Sequence, residues 1–164
     1  MSAFRLRDRV QAEDVMVLAA IARACGNFAE DEIAFVPEIL AQLAAEGEAK
    51  SGYRLLVAED DQGAAGFAIY GPIPATDHRY DLYWIATDPR AQGCGAGRLL
   101  LTESARRAAA EGATHLFIET ETGKDYTPAH HLYEACGFPL IATVPDYYRE
   151  GSGKAIYGGP LSGG

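Results

Sequence analysis

Several kinds of segment are missing from this chain of 164 residues. No apolar run approaches the roughly 20 residues that a membrane-spanning helix needs. The N-terminal segment MSAFRLRDRV lacks the hydrophobic stretch that is typical of a signal peptide. We therefore expect a cytoplasmic protein that does not enter a membrane. We also expect a single domain, because the length is sufficient to bury one hydrophobic core.

Cysteine is scarce and is represented only by Cys25, Cys94 and Cys136. These residues form no CxxC pair and have no neighbouring histidine cluster of zinc-binding spacing. His130 and His131 are adjacent in a helical pattern and so face different directions, which argues against a shared metal ion. We expect reduced thiols and no metal.

Positive charge is also in short supply, because 14 lysine and arginine residues face 23 aspartate and glutamate residues, a formal net charge of −9. Phosphate contacts dominate the affinity of proteins for nucleic acids, so we do not expect this acidic chain to bind them. An acidic surface would instead attract a cationic acceptor such as an amine. The Gly-Lys-Ser/Thr of nucleotide-hydrolysing phosphate loops is absent as well.

The most informative stretch is YDLYWIATDPRAQGCGAGRLLL, which runs from Tyr80 to Leu101. Its first part alternates with the β period until Asp88-Pro89, where proline lacks the N–H that a strand ladder needs. A group of glycines follows: Gly93, Gly95 and Gly97. A helical pattern then lasts to about Glu111. Because the first N–H groups of a helix have no intrahelical partner and lie at its positive dipole end, this glycine turn is predicted to bind a diphosphate.

Periodicity predicts the other elements. Strands are expected at about residues 4–9, 53–59, 66–73, 80–87, 114–121, 138–144 and 154–157. Helices are expected at about residues 12–25 and 128–136, and a less regular helical segment lies between them at 27–52. Pro37 marks a helix start or a break in that segment. Thr127 is predicted to cap the last helix, with Pro128 at its first position.

Two motifs together resemble those of the GNAT-type, acetyl-CoA-dependent N-acetyltransferases. The first is Gln92-x-x-Gly95-x-Gly97; the register Arg90-x-x-Gly93-x-Gly95 also fits, but Gln92 keeps the family's usual distance from the flanking residues. The second motif is Ala-x-x-Leu-Tyr-x-x-x-Gly-Phe. It is present as Ala129, Leu132, Tyr133, Gly137 and Phe138. The resemblance covers residues 80–157, about half of the chain.

The resemblance implies a single α/β domain with a mixed central sheet of about six to seven strands, splayed in the middle, and helices on both faces. Residues 1–79 would form the acceptor side, 80–157 the acetyl-CoA-binding core and 158–164 a frayed tail. Acetyl-CoA would be the donor, and a primary amine of a small molecule or peptide the acceptor. The resemblance leaves a homodimer open.

The resemblance also assigns residues to the cofactor. The main chain of Ile85, Ala86 and Thr87 would lie beside the pantetheine arm and supply a backbone N–H to the carbonyl oxygen. The remaining predicted contacts are Gln92, Gly93, Cys94, Gly95, Ala96, Gly97, Arg98, Tyr126 and His130. Tyr126 occupies a position where many members carry asparagine. Arg90 is also expected to meet the phosphates.

Two catalytic roles follow from the chemistry. A thiol of pKa near 8.5 leaves more easily if a phenol of pKa about 10 can protonate it, and the family position makes Tyr133 the candidate acid. An alkylammonium must lose a proton before it is nucleophilic, so a base is required. Glu119 is favoured, with Glu121 and Asp81 as rivals.

Aromatic residues are candidates for the acceptor site. Phe28 and Phe35, beside exposed acids, would suit a lip over that site, although an ordinary helix–loop–helix fits equally well. Further candidates for its lining are Tyr83, Tyr147 and Tyr148.

Two other functions stay open. A non-catalytic acyl-CoA-binding module would keep the glycine turn but lack a working acid and base. A nicotinamide-dependent oxidoreductase would use Gly93-x-Gly95 as a dinucleotide turn and Glu119 as the ribose-binding acid. Against that reading, the third glycine of the dinucleotide motif would fall on Arg98.

Overall fold

The computed structural model describes residues 3–162. Its strands are β1 (Arg5–Arg7), β2 (Arg54–Asp60), β3 (Gly63–Pro72), β4 (Arg79–Thr87), β5 (His115–Glu121), β6 (Leu140–Arg149) and β7 (Ser152–Pro160). Its helices are α1 (Asp14–Cys25), α2 (Glu30–Ile33), α3 (Phe35–Ser51), α4 (Ala96–Ala110) and α5 (Thr127–Ala135). Short 3₁₀ turns occupy Pro89–Ala91 and Lys124–Tyr126. Within residues 3–162, no helix combines the length and apolar character that crossing a bilayer requires.

The strands form one seven-stranded sheet in the order β1-β2-β3-β4-β5-β7-β6. Neighbouring strands are antiparallel except β4 and β5, which are parallel. These two pair only from Arg79–Leu82 to His115–Ile118, and β4 continues for five further residues without a partner on its β5 side. The predicted mixed α/β sheet, splayed in the middle, is confirmed.

Helices cover both faces of the sheet. Along β2, Leu55 and Val57 pack into one core, while Leu56 and Ala58 pack into the other, because successive strand residues point to opposite faces. The first core contains residues of α1, α2 and α3, and the second contains residues of α4 and α5. The split between β4 and β5 therefore lies between two helical layers that pack on opposite faces of the sheet.

A bulge in β4 adjusts the residues that flank the split. Tyr70 pairs with Leu82 while Ile69 pairs with Trp84, so Tyr83 is an extra residue in the ladder. Tyr83 and Trp84 consequently both pack against the core of the α1–α3 layer.

A buried ion pair connects α1 to the edge of the sheet. Two guanidinium nitrogens of Arg7 each lie 2.9 Å from an oxygen of Asp14, and the Gln11 N–H donates to the same carboxylate at 2.8 Å. Asp14 is 1% exposed. Because Asp14 is the first residue of α1, this pair fixes the start of the α1–α3 layer against β1.

Local predictions for two helices need correction. Pro37 lies in the first turn of α3 and so accompanies a helix start, whereas the break occurs at Gly47 with φ 78° and ψ 174°. In α5 the N-cap is Tyr126, not Thr127, and no side chain caps the helix. The reason is that the preceding 3₁₀ turn runs directly into α5 and already supplies the chain reversal.

The C-terminal hairpin is longer than predicted. The segment Pro145–Arg149 lies between the predicted strands at 138–144 and 154–157 but belongs to β6, where it is accommodated by a register irregularity and a positive φ at Asp146. Proline is tolerated there because β6 is an edge strand. Gly158–Pro160, expected to fray, pair with β5 as the end of β7; residues 163–164 lie outside the described part of the chain.

Candidate active site

A cavity of about 750 Å³ lies where β4 and β5 separate. One side, which we call the α4 wall, consists of Gln92, Gly93, Gly95, Ala96, Gly97 and Arg98. The other side, which we call the aromatic wall, consists of Phe28, Phe35, Tyr53, Tyr83, Trp84 and Tyr148. Ile85, Ala86 and Thr87 line the cavity between the walls, as predicted for the strand before the turn.

The α4 wall consists mainly of backbone. Gly93 and Gly95 have φ values of 78° and 92°, a left-handed conformation that strains other residues, and Gly95 is the N-cap of α4. Gly97 allows a close approach instead, since a Cβ there would lie 3.2 Å from Leu132 Cδ2. The glycines thus reverse the chain after the Pro89–Ala91 turn and bring α4 against α5.

Most N–H groups of this wall are unpaired. Gln92 and Cys94 donate to the carbonyls of Pro89 and Ala91. Five other backbone N–H groups of this turn find no acceptor within residues 3–162: those of Gly93, Gly95, Ala96, Gly97 and Arg98. Unpaired N–H groups at the positive end of a helix form a site for an anion.

The two arginines near the turn differ. Arg90 forms an ion pair with Asp60 and donates to the Ala64 carbonyl at 3.0 Å, so it is held at the β2–β3 turn and does not line the cavity. Its expected contact with phosphates is therefore not supported by its position. Arg98 lines the cavity and has no carboxylate partner among residues 3–162. The side chain of Cys94, also assigned to the cofactor, does not line the cavity.

Tyr133 brings a hydroxyl to the same cavity. It is 4% exposed, and its ring packs edge-on against Tyr157 at a centroid distance of 5.5 Å. The hydroxyl has no hydrogen-bond partner within the described range. Burial, with smaller contributions from Tyr157 and Cys25, raises the pKa of Tyr133 well above the ordinary tyrosine value. The group therefore carries its proton throughout the physiological pH range.

Three carboxylates, those of Glu119, Glu121 and Asp81, were the candidates for the base. Glu119 and Glu121 line the cavity, whereas Asp81 does not. Glu119 Oε2 is 2.9 Å from Lys154 Nζ, and its side chain is 48% exposed. Burial, followed by the charge of Glu119, raises the pKa of Asp81 to about 6, and Lys154 opposes this rise. Glu119 is thus both accessible to a ligand and electrostatically coupled to Asp81.

Tyr126 and His130 connect structural elements around the cavity. The Tyr126 hydroxyl donates to the Asn27 carbonyl at 2.9 Å, and burial, with the charge of Glu121, raises its pKa to about 12. Tyr126 lines the cavity; His130 does not. His130 Nε2 instead lies 2.9 Å from the Glu121 carbonyl oxygen, and its ring stacks on Tyr157. Cofactor contact by either side chain stays a prediction.

The aromatic wall was foreseen only in part. The rings of Phe28 and Trp84 have centroids 4.5 Å apart, and those of Tyr53 and Tyr83 are 5.6 Å apart. Trp84 was missed because alternation in β4 places Tyr83 and Trp84 on opposite faces, while the bulge brings both to one. Tyr53 was missed because its contact with Tyr83 joins residues that are far apart in the sequence. Tyr147, which was predicted to line the acceptor site, does not line the cavity and lies beneath Lys154.

Metal ligands are not assembled in the described chain: residues 3–162 contain no group of three or more His, Cys, Asp or Glu residues that could hold a metal ion.

An α/β sheet that splits beside unpaired helix N-terminal amides defines a class of protein with an anion site at the opening of its sheet. The family model for the acetyltransferase (GNAT) family matches residues 19–138. This chain belongs to that family, which confirms the prediction made from the two sequence motifs.

Solved structures and a curated relative resemble the chain to different extents. A GNAT-family protein from Desulfovibrio desulfuricans is 35% identical, and the match covers 98% of this chain and 100% of that one with a TM-score of 0.92. The yncA protein from Salmonella typhimurium, solved with its cofactor acetyl-CoA, is 20% identical with a TM-score of 0.79 and coverage of 98% and 95%. That likeness shows the fold alone. An uncharacterised Mycobacterium leprae protein is 36% identical over 86 residues; the match spans 52% of this chain and 22% of that protein.

Proposed function

We propose that this protein transfers the acetyl group of acetyl-CoA to a primary amine of a small molecule or peptide. The observation that carries the proposal is the set of unpaired amides on the α4 wall, in the same cavity as the buried Tyr133 hydroxyl. The fold of yncA, which was solved with acetyl-CoA, supports the choice of donor.

The cavity residues fit this donor. The amides from Gly93 to Arg98 would hold its pyrophosphate, because they provide several donors and a positive helix end without an intervening Cβ. The β5-facing edge of Ile85–Thr87 has no strand partner, so its main chain is available to an extended pantetheine arm. When bound, the thioester supplies an activated acetyl group.

Tyr133 would act as the general acid. Its elevated pKa keeps the hydroxyl protonated, and it has no competing hydrogen bond within residues 3–162. A proton given to the sulfur as the thiolate leaves would stabilise the departing charge.

Glu119 would act as the base, directly or through a water, because it lines the cavity and is half exposed. Glu121 and Asp81 are weaker candidates: Glu121 accepts from Ser152 at 2.9 Å, and Asp81 does not line the cavity. Replacing Glu119 by Gln should lower kcat/KM about 100-fold and remove the acidic limb of its pH profile. An acidic limb that persists in Glu119→Gln would transfer the role to another group.

The test of function is amine-dependent thiol release. The purified chain is mixed with acetyl-CoA, a panel of amines and Ellman's reagent, and acetyl-CoA binding is measured separately by calorimetry. We expect thiol release that exceeds spontaneous hydrolysis and depends on both substrates. Tight binding of acetyl-CoA without amine-dependent release would instead identify a non-catalytic binding module.

A cytoplasmic location also belongs to the proposal. The cysteines Cys25, Cys94 and Cys136 are free, which is consistent with a reducing compartment. The acidic charge supports an amine partner over a nucleic acid.

A further inference from the structure

We propose that the acceptor is an apolar monoamine: a compact molecule with one ammonium group, an aromatic or aliphatic body and no carboxylate. This inference rests on the proposed acetyltransfer and names the substrate class of the same cavity. The observation behind it is the aromatic wall, which lies across the split from the α4 wall.

The aromatic wall offers a surface for an apolar body. Phe35 is 56% exposed and Tyr148 is 42% exposed, although both line the cavity. Phe28 and Trp84 contribute two further rings, tilted by 35° with centroids 4.5 Å apart. Exposed aromatic surface that lines a concave site favours an apolar ligand, and aromatic faces also attract an ammonium group.

The charges around this wall favour a cation over an anion. Glu32, Glu119 and Glu121 line the cavity, and Arg98 on the α4 wall is the only cationic side chain in its lining within residues 3–162. The cations beside two of these glutamates are paired with them, so Glu32 is the lining glutamate without a cation partner within residues 3–162. Lys154 lies 2.9 Å from Glu119, and Arg149 lies 3.4 Å from Glu121.

These pairings argue against amino-acid acceptors. A carboxylate placed against the aromatic wall would leave water, find no unpaired cation there and meet the unpaired Glu32. An ammonium group in the same place would be attracted by Glu32 and by the rings. The wall therefore selects against the carboxylate of an α-amino acid while it accepts its amine.

Size limits the acceptor as well. The cavity of about 750 Å³ lies within the usual range for small-molecule sites and must also hold the donor's arm. The space that remains suits a molecule of roughly phenylethylamine size. A long polyamine would extend beyond this space and has no apolar body to pack against the rings.

The discriminating experiment uses matched amines with the full chain and acetyl-CoA. Phenylethylamine, phenylalanine and phenylalaninamide share one skeleton and differ at the carboxyl position, and putrescine tests an amine that has no apolar ring. We expect kcat/KM for phenylethylamine to exceed that for phenylalanine about 100-fold. We expect kcat/KM for phenylalaninamide to exceed that for phenylalanine at least about tenfold. Equal or better turnover of phenylalanine or putrescine would overturn the inference.

A binding measurement separates this inference from the proposed function. In the presence of coenzyme A, phenylethylamine should raise the Tm of the protein, and phenylalanine at the same concentration should not. If no amine supports thiol release but this pattern holds, the proposed function fails and the ligand class stands. If phenylethylamine neither reacts nor raises the Tm, the ligand class is wrong.

A surface variant tests the wall directly. Phe35→Ala should raise KM for phenylethylamine about tenfold and leave KM for acetyl-CoA unchanged, because Phe35 is exposed and lies on the aromatic wall. Met16→Ala is the matched control, since Met16 is 80% exposed on α1 and does not line the cavity. An unchanged KM for phenylethylamine in Phe35→Ala would contradict the role given to the wall.

Discussion

The two walls of the cavity are built in different ways. The α4 wall presents main-chain N–H groups, and its form depends on local conformation at Gly93 and Gly95. The aromatic wall presents side chains from distant parts of the sequence: Phe28, Tyr53, Tyr83 and Trp84 pack against the core of the α1–α3 layer, and Tyr148 comes from β6. The wall proposed for acetyl-CoA is therefore encoded by a short stretch of sequence, whereas the wall proposed for the amine depends on the whole fold.

The largest expected effect would break the α4 wall. Gly95→Glu places a carboxylate beside the unpaired amides, where it would compete with and repel a diphosphate. We expect acetyl-CoA affinity to fall by at least about 1,000-fold, measured by calorimetry.

The control for this change is Gly112→Glu. Gly112 also has a positive φ, 101°, and an added Cβ would meet nothing within 4 Å, but it lies at the other end of α4 and outside the cavity. Both variants therefore share the backbone strain and the added charge. Equal loss of affinity in the two would mean that strain, and not the phosphate site, causes the effect.

A second prediction concerns the support of the aromatic wall. Asp14→Asn keeps the shape of the side chain but removes the two-point carboxylate partner of the Arg7 guanidinium, whose side chain is 13% exposed, and leaves it only Glu59, 3.3 Å from its Nε. We expect the free energy of unfolding to fall by about 3 kcal/mol, measured by urea denaturation.

Glu30→Gln is the matched control on the same layer. The Arg23–Glu30 pair is shorter, at 2.7 Å, but both side chains are exposed, so solvent screens the interaction. Its removal should leave the urea midpoint unchanged. Similar losses in both variants would show that burial does not distinguish the two pairs.

The third prediction addresses the point where the walls meet. Tyr133→Phe removes the unpartnered hydroxyl and should lower kcat about 100-fold with little change in acetyl-CoA affinity. Tyr157→Phe is the control, because Tyr157 is buried against the same ring but does not line the cavity. Stopped-flow or steady-state thiol release measures both. Unchanged turnover in Tyr133→Phe would end its assignment as the acid.

Sequence reasoning predicted the first wall better than the second for physical reasons. Glycine requirements at Gly93 and Gly95 and the stop at Pro89 are short-range effects, and they indicated the turn, whereas the splayed sheet was implied by the resemblance to the family. Trp84 was missed because a bulge reverses strand alternation. The ion pair that holds Arg90 joins residues 30 positions apart, which periodicity does not reveal.

The smallest predicted effect tests whether burial of the Asp81 carboxyl close to Glu119 reduces stability. Asp81 has a pKa of about 6 in the folded chain, against 3.8 for an ordinary aspartate, so the folded chain binds the proton more tightly. Between about pH 4 and 6 the folded state therefore carries more protons than the unfolded state, and the free energy of unfolding falls as pH rises through that window.

Asp81→Asn removes this penalty, so the variant should match the parent near pH 4 and exceed its stability by about 1 kcal/mol at pH 7. This value is discounted for partial exposure of the carboxyl. Urea denaturation at pH 4.5, 5.5 and 7 measures the difference, and Asp77→Asn, whose side chain is 89% exposed, is the control. If the difference in the free energy of unfolding between Asp81→Asn and the parent does not grow with pH, the charged form of Asp81 is not destabilised in the folded chain. The Asp81 carboxylate close to Glu119 would then not lower the stability of the fold. The two walls would differ in the groups that they present, main-chain N–H groups or aromatic side chains, but not in their effect on stability.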